Sequence, residues 1–227
     1  MTGHGHHHDH GAGGPAATGE DRFSAEFWDQ RYRESGALWS GQPNPQLVAE
    51  AGRVAVGRAL DAGCGEGADA IWLAGRGWLV TAVDISAVAL DRGATHAAEL
   101  GAELAERITW QREDLLTWAP PPQRYDLVSA QFMQLPSDRR AAFFARLAAG
   151  VAAGGTLLLV GHSPTDLDTT VPRPPLPDLF FTATDVAATF DSALWTVLVS
   201  EARPRETRDP EGHPVTVHDE VLAARRN

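Results

Sequence analysis

The sequence predicts an α/β protein: a doubly wound, mostly parallel sheet closed by a C-terminal antiparallel hairpin. Three observations carry that expectation. Five short strand-like runs, at residues 58–62, 79–84, 107–112, 125–130 and 155–161, are interleaved with segments of helical period. The fifth run, Gly155-Thr156-Leu157-Leu158-Leu159-Val160-Gly161, is almost wholly apolar, as a strand covered on both faces must be. Two β-branched segments, 194–201 and 215–222, then flank the turn residues Asp209-Pro210-Glu211-Gly212 and read as a hairpin.

The elements follow in order. Residues 1–20 are Gly, His, Ala and Pro without a face to bury, and are expected to form a disordered tail ahead of a single domain at 21–227. His4, His6, His7, His8 and His10 make that tail either a weak binder of divalent ions or a purification-tag remnant. Phe23, Phe27, Trp28 and Tyr32 recur at helical spacing up to Gly36. A loop at 38–45 follows, then a helix at 46–52. Helices are expected at 68–76, at 87–100 after the N-cap Ser86, and at 137–152. Pro164, Pro172, Pro174, Pro175 and Pro177 forbid a regular element, so a loop should cross the carboxyl edge of the sheet before a short helix at 183–189.

Composition narrows the function. With 227 residues, 43% hydrophobic and 22% charged, the chain suits one soluble domain. No apolar run approaches the ~20 residues of a membrane span, and no secretory signal is visible, so a cytoplasmic location is expected. A net charge of -11 argues against nucleic acid as a partner. The single cysteine, Cys64, rules out an intramolecular disulfide or a cysteine-based metal cluster. A small-molecule enzyme, monomeric or homodimeric, fits these bounds.

The chemistry concentrates in Leu60-Asp61-Ala62-Gly63-Cys64-Gly65-Glu66-Gly67, between a strand and a helix. Alternate glycines let the backbone turn sharply and approach a ligand closely. Gly63, Gly65 and Ala68 also satisfy the dinucleotide fingerprint G-x-G-x-x-G/A, and Asp84 stands where a ribose-binding acid belongs. An NAD-type oxidoreductase is therefore a rival reading. Asp61 favours the other one: a carboxylate at the mouth of the turn repels a pyrophosphate, whereas S-adenosylmethionine (SAM) brings an ammonium and a sulfonium. Asp84 is expected to accept from ribose hydroxyls, or else to cap the next helix. Asp114 either bonds the adenine amino group, with Leu115 or its neighbour against the ring, or is a solvated loop acid.

These segments, together with Val83-Asp84-Ile85-Ser86, Glu113-Asp114-Leu115 and Tyr125-Asp126-Leu127-Val128, resemble the class I SAM-dependent methyltransferases over roughly residues 22–222. The resemblance implies that Asp61, Gly63 and Gly65 hold the methionine end of SAM, Asp84 the ribose and Asp114 the adenine. Cys64, Ile85, Leu115, Gln131 and Trp39 are further cofactor-binding candidates. The front segments Phe27-Trp28-Asp29-Gln30-Arg31-Tyr32 and Trp39-Ser40-Gly41-Gln42-Pro43-Asn44 are similar to the thiopurine and tellurite-resistance methyltransferase group. That similarity implies Trp39, Trp28 or both as a cover over the cofactor, although Trp28 also fits a helix-face core position.

The acceptor should sit at the carboxyl ends of the fourth and fifth strands. Gln131-Phe132-Met133-Gln134-Leu135-Pro136 and Gly161-His162-Ser163-Pro164 form those loops, with Phe180 and Phe181 in the proline-rich stretch. Their apolar content predicts an apolar or aromatic acceptor, and the similarity to the thiopurine and tellurite-resistance group implies a small soft or aromatic nucleophile. His162 has the ordinary pKa of a general base, and Gln134 can orient an acceptor without taking its proton. A third reading, a SAM-binding protein that handles metal through the His-rich tail, remains open at this level.

Overall fold

In the computed structural model the described residues are 21–36, 38 and 40–227. The expected tail at 1–20 and Trp39 lie outside them. Among the described residues no helix is long and apolar enough to cross a membrane.

A 3-10 turn, Asp21–Phe23, leads into α1 (Ala25–Glu34), where the Ser24 side chain accepts from the Phe27 N–H as N-cap. α2 (Pro45–Ala51) starts on Asn44, whose side chain accepts from Gln46, with Pro45 supplying a fixed φ at the first helical position. Then come β1 (Arg58–Ala62), α3 (Ala68–Gly75), β2 (Leu79–Asp84), α4 (Ala87–Leu100), the single turn α5 (Ala102–Ala105) and β3 (Ile108–Arg112). β4 (Tyr125–Gln131), α6 (Ser137–Gly150) and β5 (Val151–His162) complete the alternation. α7 (Ala183–Ala187), β6 (Trp195–Arg208) and β7 (Pro214–Arg226) close the chain.

All seven strands join one sheet of order β3-β2-β1-β4-β5-β7-β6. β1 to β5 are parallel, while β7 runs antiparallel to both β5 and β6. Strand order reverses between β1 and β4, which opens a crevice at their carboxyl ends. Side-chain alternation splits the core. Leu60, Val128, Leu157 and Leu159 pack beneath α6 with Phe143, Phe144 and Leu147. Ala59, Ala82, Leu127, Leu158, Val160 and Val221 pack beneath α2 and α3 with Leu47, Ile71 and Leu73.

Three boundaries differ from the sequence expectation. α6 ends at Gly150, because Val151 is fully buried and pairs with Tyr125, so β5 begins there. The hairpin strands are 14 and 13 residues long, since charged residues carry the pairing outward, as where Thr216 donates to Glu206. The proline-rich stretch holds two 3-10 turns, Pro164–Asp168 and Pro177–Leu179, each opening on proline, which tolerates the first position of a turn.

Candidate active site

The glycine-rich turn is drawn tight against β2: the N–H groups of Gly63 and Cys64 both donate to the Val83 carbonyl, at 2.8 and 3.0 Å. Gly63, Gly65 and Gly67 have φ of 79°, 53° and 81°, values that side chains rarely adopt. At Gly67 a Cβ would also run into the Trp110 ring. Asp84 helps to build this turn. Its Oδ2 accepts from the Gly65 N–H at 2.8 Å and its Oδ1 from the Ser86 N–H at 2.9 Å. Ser86 in turn caps α4 through Ala89 and donates to Asp29 at 2.6 Å. Ile85 is half-buried, and its carbonyl accepts from Arg112.

Carboxylates dominate the electrostatics. Burial, followed by repulsion from Asp69 and Asp84, pushes Asp61 well above its usual value despite an N–H from Ala70. Burial raises Asp69 to about 6 against an N–H from Asn44. It raises Asp84 as well, against N–H groups of Ser86, Gly65 and Ile85. Enclosure and the same acids push the Cys64 thiol up, so Cys64 is protonated and no nucleophile. Oδ2 of Asp61 is buried without a donor, and so is Oε1 of Gln131, whose amide nitrogen donates to Ser129. Asp61 pairs in register with Ser129, two residues before Gln131, so both orphaned acceptors lie on the α3 side at the carboxyl edge.

Ser35, Leu38 and Asn44, described residues ahead of α2, form a strap fastened to this turn. Arg92 donates to the Ser35 carbonyl and forms a 2.9 Å ion pair with Glu66. Glu66 also accepts from the Leu38 N–H at 3.3 Å, and Asp69 from the Asn44 N–H at 2.6 Å. Sequence reasoning missed Glu66 and Asp69 as anchors, because their partners lie 28 and 25 residues away and no local signal names them. Trp28 is half-buried beside Phe27 and Tyr32 in α1, with the Arg31 guanidinium 5.8 Å from its ring.

On the acceptor side, β4 ends in a reversal of side-chain direction. Leu127 faces the α3 side and Val128 and Ala130 face α6, so regular alternation would send Phe132 towards α6. Phe132 instead has φ 54° and packs on the α3 side, its ring centroid 4.5 Å from that of His162. Such a backbone costs about 1–3 kcal/mol for a bulky residue. His162, 8% exposed, ends β5 on the same face and pairs in register with Asp219. Met133 lies against Gly63, where a Cβ would meet its sulfur, so the acceptor loop touches the glycine-rich turn. Gln134 is half-buried in that loop.

The expected adenine pair stands apart in character. Asp114 is exposed and caps its own turn, accepting from the Leu116 N–H at 2.9 Å, while Leu115 is buried in the α6-side core. The remaining residues, Asp61, Gly63, Cys64, Gly65, Asp84, Ile85, Gln131 and His162, gather at the crevice.

A methyltransferase-domain family model matches residues 59–155. The 2-heptyl-1-hydroxyquinolin-4(1H)-one methyltransferase of Mycobacteroides abscessus is 28% identical over 160 residues, 66% of this chain and 69% of that protein. The probable thiol methyltransferase 2 of Arabidopsis thaliana is 31% identical over 108 residues, 46% of each chain. The crystal structure of TehB from Haemophilus influenzae shares the fold, with a TM-score of 0.63 at 21% identity over 89% of this chain and 67% of that one. SAM fits the residues present, since its cationic groups answer an acidic pocket with two orphaned buried acceptors. Sheet order, glycine-rich turn and relatives agree: residues 59–155 match a methyltransferase domain, and the chain is similar to SAM-dependent methyltransferases.

Proposed function

We propose that this enzyme methylates a small soft or aromatic nucleophile, at sulfur, selenium, tellurium, nitrogen or oxygen. One observation carries the reading: the acidic cofactor crevice and the Phe132–His162 wall occupy one face of the sheet, joined through the contact of Met133 with Gly63. The relatives that act on a hydroxyquinolone and, by their name, on thiols support small acceptors of this range.

SAM supplies an electrophilic methyl group on a sulfonium. Asp61 and the Gln131 carbonyl would receive its ammonium, and Asp84, which holds the Gly65 N–H, would accept from its ribose. Asp114 has lone pairs left for an adenine amino group beside its own turn. Glu66 and Asp69 hold Leu38 and Asn44 beside the turn, and for an in-line displacement positioning and exclusion of water supply much of the acceleration. His162 takes the acceptor's proton where the nucleophile carries one, and Gln134 orients it.

Isothermal titration with SAM, with NAD as comparator, tests the cofactor assignment. Micromolar SAM binding without NAD binding is expected. NAD binding in its place would return the glycine-rich turn to an oxidoreductase.

A further inference from the structure

We propose that the acceptor is a neutral, flat aromatic heterocycle carrying an ionisable hydroxyl or ring N–H, and that Phe132 selects it against compact anions such as thiocyanate or halide. The inference rests on the methyltransferase reading and narrows it.

The first argument is electrostatic. Asp61, Asp84, Gln131, His162 and Asp219 share one face, because each lies an even number of residues from a strand position packed under α2 and α3. Asp69 joins them from the first turn of α3. An inorganic anion entering this space meets the carboxyl groups of Asp61, Asp69 and Asp84 and needs a cation to offset its lost hydration. The arginines brought to this face are already engaged. Arg92 pairs with Glu66 at 2.9 Å, Arg203 with Glu50 at 2.6 Å and Arg205 with Asp219 at 3.3 Å. Arg203 and Asp219 also clamp the two ends of the Gln46 amide. A neutral acceptor needs no such charge.

The second argument is shape. The strained turn at Phe132 moves a large ring from the α6 side to the α3 side, where it lies within 30° of the His162 plane. Strain of this kind persists where surrounding structure requires it, and here it yields a flat wall at the carboxyl edge. Planar rings pack against such a wall by offset stacking. A monatomic or linear anion gains nothing from it. During transfer the acceptor oxygen or nitrogen forms the bond to the methyl carbon as the carbon–sulfur bond breaks. The electron pair of that bond returns to sulfur, and the released proton passes to His162.

The test uses the full chain with 4-hydroxyquinoline, thiocyanate and iodide. Calorimetric binding of 4-hydroxyquinoline in the presence of S-adenosylhomocysteine is the first readout, and methylation of each probe from SAM is the second. Phe132→Gly keeps the backbone conformation without strain, and Phe132→Tyr keeps the ring. We expect 4-hydroxyquinoline to bind, Phe132→Gly to weaken that binding at least tenfold with SAM affinity within twofold, and Phe132→Tyr to restore it. The kcat/KM for thiocyanate and iodide should be at least a hundredfold below that for the heterocycle. Preferred methylation of an anion, or heterocycle binding indifferent to Phe132→Gly, overturns the proposal while leaving the methyltransferase reading in place. Absence of SAM binding overturns both.

Discussion

The Asn44 N–H donates to Oδ1 of Asp69 at 2.6 Å, so the strap that precedes α2 is held by the first turn of the helix leaving the glycine-rich turn. One half-buried carboxyl group therefore serves two neighbours, the strap and the acidic cluster around Asp61.

That arrangement makes SAM binding depend on pH. Burial raises Asp69 to about 6, so the group is largely protonated below that value in the free protein, and ionised above it. A cationic ligand favours the ionised form. SAM affinity should thus rise severalfold between pH 5 and 7.5, with proton release on binding near pH 6. For stability the sign is opposite: the native pKa lies above the ordinary aspartate value of 3.8, so ionisation opposes folding as pH rises from about 4 through about 6. Titrations in buffers of different ionisation enthalpy measure the released protons. A flat profile in the native enzyme, or an undiminished slope in Asp69→Asn, contradicts this.

Asp84 builds the turn and, in the proposed cofactor assignment, accepts from the ribose, so its removal should show both effects. Asp84→Ala deletes the acceptor of the Gly65 and Ser86 N–H groups along with any bond to ribose. SAM binding should weaken by about 1–3 kcal/mol, with a lower melting temperature. Asp84→Asn retains an acceptor and should recover more of the stability than of the affinity. Calorimetry and thermal denaturation, run on both variants, separate the two effects.

Gly67→Ala tests the packing of the turn. The added methyl would meet the rigid Trp110 ring at φ 81°, and the same ring closes on Gly93 in α4. A loss of about 2–4 kcal/mol in urea unfolding is expected, from strain and overpacking together. Wild-type stability would show that Trp110 moves aside without penalty.

His162→Ala should leave SAM affinity within twofold and lower kcat at least tenfold for an acceptor that must lose a proton. A thiolate acceptor, already ionised, should be far less affected. Equal losses for both acceptor types would assign His162 to positioning.

Strands β1, β2 and β4 and helices α3 and α4 were legible within one or two residues, because apolar period and caps such as Ser86 are local signals. The turn residues 60–67 and Asp84 were legible for the same reason. The strap anchors were not, since Glu66 and Asp69 read as ordinary acids until folding sets Leu38 and Asn44 beside them. Phe132 defeats pattern reading outright. Alternation assigns it to the α6 face, and a single residue's φ, fixed by tertiary contacts, moves it to the other. Likewise nothing around Asp114 signals that its carboxylate is occupied by the Leu116 N–H.

The order of the sheet has a consequence during synthesis. β7 lies between β5 and β6 yet is made after both, so Leu158 finds its partner Ala223 only once residues 214–226 have left the ribosome. Until then β5 presents an open, strongly apolar edge, and pairing across more than sixty residues is slow to form. The nascent enzyme is accordingly most prone to sticking to itself while β7 is still missing, and chaperone demand should concentrate in that interval.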